Sequence, residues 1–519
     1  MSKVIGKVIT DCSTESFIFV STEMYDTKFV CVKVRNDKGE VKYIGEVVEK
    51  QTINPYFENP TDIKYISKDD ENISKKSLYL SKVRLLSLIQ NNHRKEIDFP
   101  PLPGLNVYAA EEPDIKLSLS LSSQGLNIGH IKNHNIKFNI SIDKLCKTHN
   151  AILGQTGSGK SYFAAKLAVE LLKVRHYAKV PSQVPIPIIF DSSGEYSGDF
   201  EVGPQKELAL IMNKLSITDQ HFPLMNEKYL PLLYDIYGID EKQESELRPW
   251  FFPEIVSGKR ENNSFQQSLY KSIKAAEIIS RFHQLRIHST KQLANTLEEF
   301  MQEINMSEKV DKISIPYKVL SRMRKYNLKI KKTDDIDIVD KLSAGLIVDL
   351  SKQDNYDERQ ITMLLFLRQI YDAAKSNKLK YRVVLFIDEA HNYIPSVYKS
   401  FCKNEILRLA REGRKYGITL CLISQRPRWV DPTALSQCGN VFIFRIQNSD
   451  DKKYIFDSAS LPDTIKDINI AKFKTGEMVA VGDIVTHHII CEVTEIDQEF
   501  IKLMADKYAK LAFESIKSL

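Results

Sequence analysis

Ile152-Leu-Gly-Gln-Thr-Gly-Ser-Gly-Lys-Ser161 is a short apolar run that passes into a complete GxxxxGK[ST] loop, followed by the helix-like Tyr162-Phe-Ala-Ala-Lys-Leu-Ala168. The strand–loop–helix context turns the pattern into a site. Gly154, Gly157 and Gly159 let the backbone fold tightly enough for the N–H groups of Gln155, Thr156 and Ser158 to turn toward phosphate oxygens. The helix that starts near Lys160 adds its positive N-terminal end. Lys160 is expected to reach the β- and γ-phosphates and Ser161 to ligate Mg²⁺, which makes ATP and Mg²⁺ the expected ligands.

Such a loop needs a sheet around it, and the sequence supplies one. Residues 186–191, 344–349, 383–388 and 418–424 are apolar runs, most of them ending in a polar residue, and helical segments alternate with them. That is the pattern of an α/β fold with a parallel sheet covered on both faces, whose chemistry sits at the strand C-terminal ends. In Val383-Val-Leu-Phe-Ile-Asp388-Glu389, Asp388 is placed to hold the metal and Glu389 to polarise an attacking water, which argues for hydrolysis rather than storage of ATP. Arg414, in Arg408-Leu-Ala-Arg411-Glu-Gly-Arg414-Lys-Tyr-Gly417, and Gln425, at the end of the next strand, are candidates to stabilise and to sense the γ-phosphate.

At 519 residues the chain is too long for one core, and about three units are expected. Lys and Arg exceed Asp and Glu by 73 − 67 = 6, a mild excess that says little about nucleic acid unless it is clustered. Seven scattered cysteines with no CxxC pair fit reduced thiols better than disulfides or zinc. No window approaches the roughly 18 apolar residues of a membrane span, so a cytoplasmic protein with no membrane partner is expected.

Short β-branched runs between residues 4 and 48 read as a small antiparallel barrel or sandwich, closed off by Pro100-Pro-Leu-Pro103-Gly. The long stretch from Asp191 to Gly345 carries helical spacing at 206–215, 275–282 and 292–302, interrupted by a polar loop at 258–264. The expected organisation is a barrel over 1–105, an ATPase core over 106–204 and 336–485, a helical insertion over 205–335 and a terminal segment over 486–519. At the end, Ile501, Met504, Tyr508, Leu511 and Phe513 follow helical spacing and are expected to pack on the chain's own core or on another subunit.

Five segments together resemble the HerA family: Ile152–Ser161, Phe190-Asp-Ser-Ser-Gly-Glu-Tyr196, Leu385-Phe-Ile-Asp-Glu-Ala-His-Asn392, Ala410-Arg-Glu-Gly-Arg-Lys-Tyr-Gly417 and Ile423-Ser-Gln-Arg-Pro427. The resemblance implies a RecA-like P-loop core with an N-terminal β-barrel, an inserted helical subdomain and a C-terminal brace, assembled as a homohexamer that translocates double-stranded DNA. It implies a partner nuclease of the NurA type in DNA end processing and repair, or a sirtuin-like or other nuclease effector in antiviral defence. By position it makes Lys160 and Ser161 the phosphate and Mg²⁺ ligands, Asp388 the metal support, Glu389 the water activator, Arg414 a cis arginine and Gln425 the sensor. Asp191 and Glu195 fall in a loop that faces nucleotide and channel.

One place departs from the family. Many members have an arginine, acting in trans, just before the histidine that opens the phosphate-loop strand; here the segment is Lys147-Thr148-His149. A lysine lacks the planar fork of arginine. That departure leaves room for a ring whose main role is to scaffold and regulate an effector. A further alternative is another additional-strand ATPase, such as a conjugative coupling protein or an AAA+ remodeller. For DNA contact, Arg426-Pro-Arg428-Trp429 combines charge with an aromatic ring, 329–332 reads as a solvated face, and His487-His488 reads as structural.

Overall fold

The computed structural model describes residues 3–9, 12–36, 39–54, 77–180, 183–197, 208–216, 289–307, 317–325, 342–353, 355–379, 381–459 and 461–517, with single positions at 236, 237, 239, 281 and 285. The chain divides into two compact units: Met1–Thr148 with Gly439–Gln447 and Leu461–Glu495, and His149–Cys438 with Asn448–Ser460 and Ile496–Leu519.

In the first unit the strands are β1 (Val4–Val8), β2 (Ser16–Ser21), β3 (Phe29–Asn36), β4 (Gly39–Ile53), β5 (Leu78–Gln90), β6 (His93–Lys95) and β7 (Asn106–Ala109). They pair in the order β2-β1-β7-β3-β4-β5, and β2 pairs again with β5 to close a six-stranded barrel; β6 extends β5. Alternation decides which side faces in: along β2 every second residue is buried, and Phe17 and Phe19 join Val30, Val32, Val83 and Val107 in the core. β8 (Leu126–Ile131) and β9 (Lys137–Ile140) follow in this unit.

The second unit is built on β10 (His149–Leu153), β11 (Ile186–Asp191), β12 (Asn213–Ser216), β13 (Leu346–Asp349), β14 (Val383–Ile387) and β15 (Ile418–Ser424). Their order is β12-β13-β11-β14-β15-β10, all parallel. Strands β10, β11, β13, β14 and β15 are buried along their whole length, as continuous apolar runs require when helices cover both faces. One strand, β15, stands between the phosphate-loop strand β10 and the acidic strand β14. That strand puts the loop, Gln425 and Asp388-Glu389 on neighbouring strand ends. Returning to the first unit, β16 (Cys438–Ile443), β17 (Glu477–Gly482) and β18 (Ile489–Val493) run antiparallel in the order β16-β17-β18-β8-β9.

Within the segment expected to be helical over 206–215, the described residues 208–215 are not one helix. They form a single turn at Leu208–Ile211 and then join the sheet as β12, because Asn213–Ser216 finds an open edge on β13. The helix expected at 292–302 lies within Thr290–Ser307. Residues 258–264 and 329–332, and 275–282 apart from Arg281, fall outside the described residues. The terminal helix, Gln498–Lys517, begins on its own core: Phe500 packs against His176 and Tyr177, Lys173 pairs with Asp497, and the Ile496 amide donates to the Tyr162 hydroxyl at 2.9 Å. No disulfide joins the cysteines, and among the described residues no helix is long and apolar enough to cross a membrane.

Candidate active site

The phosphate loop leaves β10 at Leu153 and enters the helix Lys160–Tyr177. Gly157 at φ +72° and Gly159 at φ +106° hold left-handed conformations open to glycine at no steric cost. A Cβ placed on Gly157 would meet nothing within 4 Å, so the loop borders open space. The Gln155 carbonyl accepts from the Ser158 amide (3.3 Å), the Ser158 hydroxyl (2.7 Å) and Lys160 Nζ (2.9 Å). Burial pushes the pKa of Lys160 down, against the pull of Glu389, Asp388 and Glu195. A buried ammonium at the mouth of an open glycine loop suits a phosphate, which would take it over from a loop carbonyl.

Facing it is a concentration of acid. Asp388, just past β14, accepts from Ser193 Oγ at 3.1 Å and lies 4% exposed. Burial drives its pKa well above the ordinary carboxylate value, and Glu389, Asp191 and Glu195 add to that. A divalent cation would relieve such crowding. Tyr196 adds a fully buried hydroxyl that meets the Ser161 side chain. Asp388 and Ser161 therefore fit Mg²⁺. Among the described residues no group of three or more His, Cys, Asp and Glu could hold a metal alone, in keeping with a cation completed by phosphate oxygens and water.

Glu389 takes a left-handed conformation (φ +49°, ψ +47°) directly after the strand. Residues other than glycine seldom adopt it, and such strain gathers at functional sites. Its Oε1 accepts from Gln425 Nε2 at 2.7 Å, and Gln425 Oε1 in turn accepts from the Thr156 hydroxyl. A hydrogen-bonded chain thus runs from the phosphate loop through Gln425 to Glu389. Burial, reinforced by Glu195, raises the pKa of Glu389, while Lys160 opposes it.

Lys160, Ser161, Asp388, Glu389 and Gln425 are therefore brought together at one edge of the sheet. Arg414 is not. It lies exposed in the turn Gly413–Tyr416 ahead of β15, whose far end carries Gln425. The intervening strand spans about 20 Å at roughly 3.3 Å per residue, and the charge of Arg414 is felt instead by His149 at the start of β10. A cis role at its own phosphate loop is out of reach, because Arg414 and the loop sit at opposite ends of parallel strands. Asp191 accepts from the amides of Gly194 (2.8 Å), Tyr196 (3.0 Å) and Ser197 (2.8 Å), so it shapes its own loop. Arg428 pairs with Asp450 at 3.2 Å beside Trp429, which is 39% exposed. His487 bonds the Leu86 carbonyl at 2.7 Å and His488 Nε2 lies 3.0 Å from Arg84, a structural role as expected. Sequence reasoning missed Ser193 and His391. Both lie inside quoted motifs, but nothing in their spacing marks them.

Known proteins match this arrangement. A family model described as "Helicase HerA, central domain" matches residues 126–370. A probable helicase of Methanocaldococcus jannaschii is 26% identical over 510 residues, covering 96% of this chain and 92% of that protein. The DNA double-strand break repair helicase HerA of Sulfurisphaera tokodaii is 26% identical over 513 residues, covering 95% and 93%; that of Saccharolobus solfataricus is 27% identical over 497 residues, covering 93% and 90%. Among solved structures, VirB4 of Thermoanaerobacter pseudethanolicus aligns with a TM-score of 0.49 at 15% identity, over 73% of this chain and 99% of that one. The matched central domain spans the phosphate loop, and relatives named as HerA helicases align over nearly the whole chain, so this protein resembles the HerA helicases along almost its full length.

Proposed function

We propose that this protein is an ATP-hydrolysing translocase or helicase of the HerA type, which moves double-stranded DNA as a homohexameric ring and drives a partner nuclease or effector in end processing or antiviral defence. The observation that carries the reading is the convergence of Lys160, Asp388, Glu389 and Gln425 at one sheet edge, in relatives of proteins named as DNA double-strand break repair helicases. Lys160 and the amides of Gly154–Ser161 bind the phosphates, and Ser161 and Asp388 hold Mg²⁺, which supplies positive charge for the phosphate oxygens. Glu389, its basicity raised by burial, accepts the proton of the water that attacks the γ-phosphorus as the bond to the bridging oxygen breaks, leaving ADP and phosphate. Gln425 reports the state of the loop to Glu389. The domain plan that goes with this reading is a barrel over 1–105, a core over 106–204 and 336–485, a helical insertion over 205–335 and a terminal brace over 486–519 whose helix starts on the chain's own core at Phe500. Arg414, far from its own loop, serves the nucleotide of an adjacent subunit.

The test is ATP turnover with and without duplex DNA across a salt series. Stimulation by DNA that falls steeply with salt supports the reading, because phosphate contacts release counterions. Turnover that ignores DNA at every salt overturns translocation. A specific observation favours a second reading: position 148 offers a buried hydroxyl rather than a cation, and Lys147 lies 3.8 Å from Asp483. A ring with weak hydrolysis would act mainly as a scaffold, and in that case Lys160→Ala leaves effector activity intact.

A further inference from the structure

The Glu389 carboxylate has one oxygen held by Gln425 and a second, Oε2, that is buried with no hydrogen bond in this structure. The polar group beside Oε2 is His391 Nδ1, at 3.3 Å. The ring is 7% exposed, and Nδ1 lies 3.1 Å from Ser424 Oγ, at the end of β15. Ser424 Oγ also accepts from the Arg426 amide at 3.1 Å, and the Ser424 carbonyl accepts from the Gly154 amide at 3.3 Å. One serine therefore ties together the strand end, the start of the phosphate loop and the histidine. Burial, with Arg426 and Lys160 nearby, holds the ring's pKa down at about 4, so the imidazole is neutral and its approach to Glu389 is no ion pair. A bare lone pair on Nδ1 would be repelled by the carboxylate. With the proton on Nδ1, the N–H has Ser424 Oγ at 3.1 Å and Glu389 Oε2 at 3.3 Å within reach, and a small turn of the ring toward the carboxylate favours the ionised acid.

We propose that His391 is a positioning residue for Glu389: tethered to Ser424 through Nδ1, its ring sets the plane of the carboxylate and presents an N–H to Oε2. This rests on the reading of Glu389 as the group that accepts the water proton. Orienting partners of a reacting group are typically worth about 10–100-fold in activity. The role depends on one ring nitrogen, which gives the test its sharpness. An asparagine amide superposes on Nδ1, whereas a glutamine amide reaches the place of Nε2.

The experiment measures kcat and KM for ATP in the full-length protein for His391→Leu, His391→Asn, His391→Gln, Ser424→Ala and Glu389→Gln. The expected result is a kcat loss of about tenfold or more for H391L and H391Q, with KM little changed and most of the rate kept by H391N. S424A, which leaves the ring in place and removes its tether together with the acceptor of the Arg426 amide, should lower kcat in the same direction, and it carries the test if H391L fails to fold. A wild-type kcat in both H391L and S424A, or equal loss in H391N and H391Q, overturns the proposal while E389Q still abolishes turnover. If E389Q itself turns over normally, the reading of Glu389 falls, and this proposal falls with it.

Discussion

The two ends of the parallel sheet in the second unit are built from the same kinds of strand and treat polar groups in opposite ways. At the start of β10, His149 is fully buried and fully satisfied: Nε2 donates to the Ala410 carbonyl at 2.9 Å and Nδ1 accepts from the Leu420 amide at 2.9 Å. Burial holds its pKa down at about 4, so one donor and one acceptor match one acceptor and one donor. At the C-terminal ends of β14 and β15, Asp388 is buried among other acids, Glu389 is left-handed with a bare oxygen, and Lys160 rests on a loop carbonyl. A satisfied polar group stabilises a fold; a crowd of buried acids around one lysine is held in place only by the surrounding strands, and it is ready for a ligand.

The comparison breaks first at Glu389. Glu389→Gln should lower ATP turnover by about 10²–10⁴-fold while nucleotide binding persists; normal turnover would make the strained end ornamental. Next, Lys160→Ala should weaken ATP binding by about 2–5 kcal/mol, the typical loss on removing one partner of a desolvated charge pair, with an unchanged circular dichroism spectrum. At the satisfied end the outcome reverses. His149→Leu orphans an amide and a carbonyl, each costing roughly 1–3 kcal/mol, so the denaturant midpoint should fall while KM for ATP below the transition stays near wild type.

Protonation sharpens the same contrast. Because the folded pKa of His149 lies below its ordinary value, the unfolded chain binds the extra proton between about 4 and 6.5. The contribution of the neutral ring is whole above about 6.5 and is lost as pH falls toward about 4. Denaturant midpoints should therefore drop from pH 7 to pH 5 in the wild type and drop less in His149→Leu. The smallest effect is expected from Gly157→Ala: a left-handed alanine costs about 1–2 kcal/mol, and with open space at the Cβ this should appear as slightly weaker binding of a non-hydrolysable ATP analogue.

The readable parts of this chain were those with strong local signals. The phosphate loop and the apolar runs ending in Asp191, Asp349, Asp388 and Ser424 appear where expected, since a strand buried on both faces must be continuously apolar. Strand β12 overlaps a stretch, 206–215, whose spacing is helical, because four residues, Asn213–Ser216, are too few to show a period of two. The barrel's closing strand, Leu78–Gln90, lies outside the β-branched runs of residues 4–48, although it pairs with both β2 and β4. Closure is a long-range pairing that no local window contains.

By itself, the sequence determined that a glycine loop with Lys160 and Ser161 follows a strand, that Asp388 and Glu389 end another, and that the motifs between them keep the order of one family. Those are facts of local spacing, fixed by what φ angles glycine allows and by which faces of a strand must be apolar. Only the tertiary structure decided that β15 lies between β10 and β14, that Gln425 bridges Thr156 and Glu389, and that Arg414 stands at the far edge from the loop. Strand order and direction place residues hundreds of positions apart on one edge or on opposite edges, and burial, which no single residue carries in its own identity, sets the charge each of them bears.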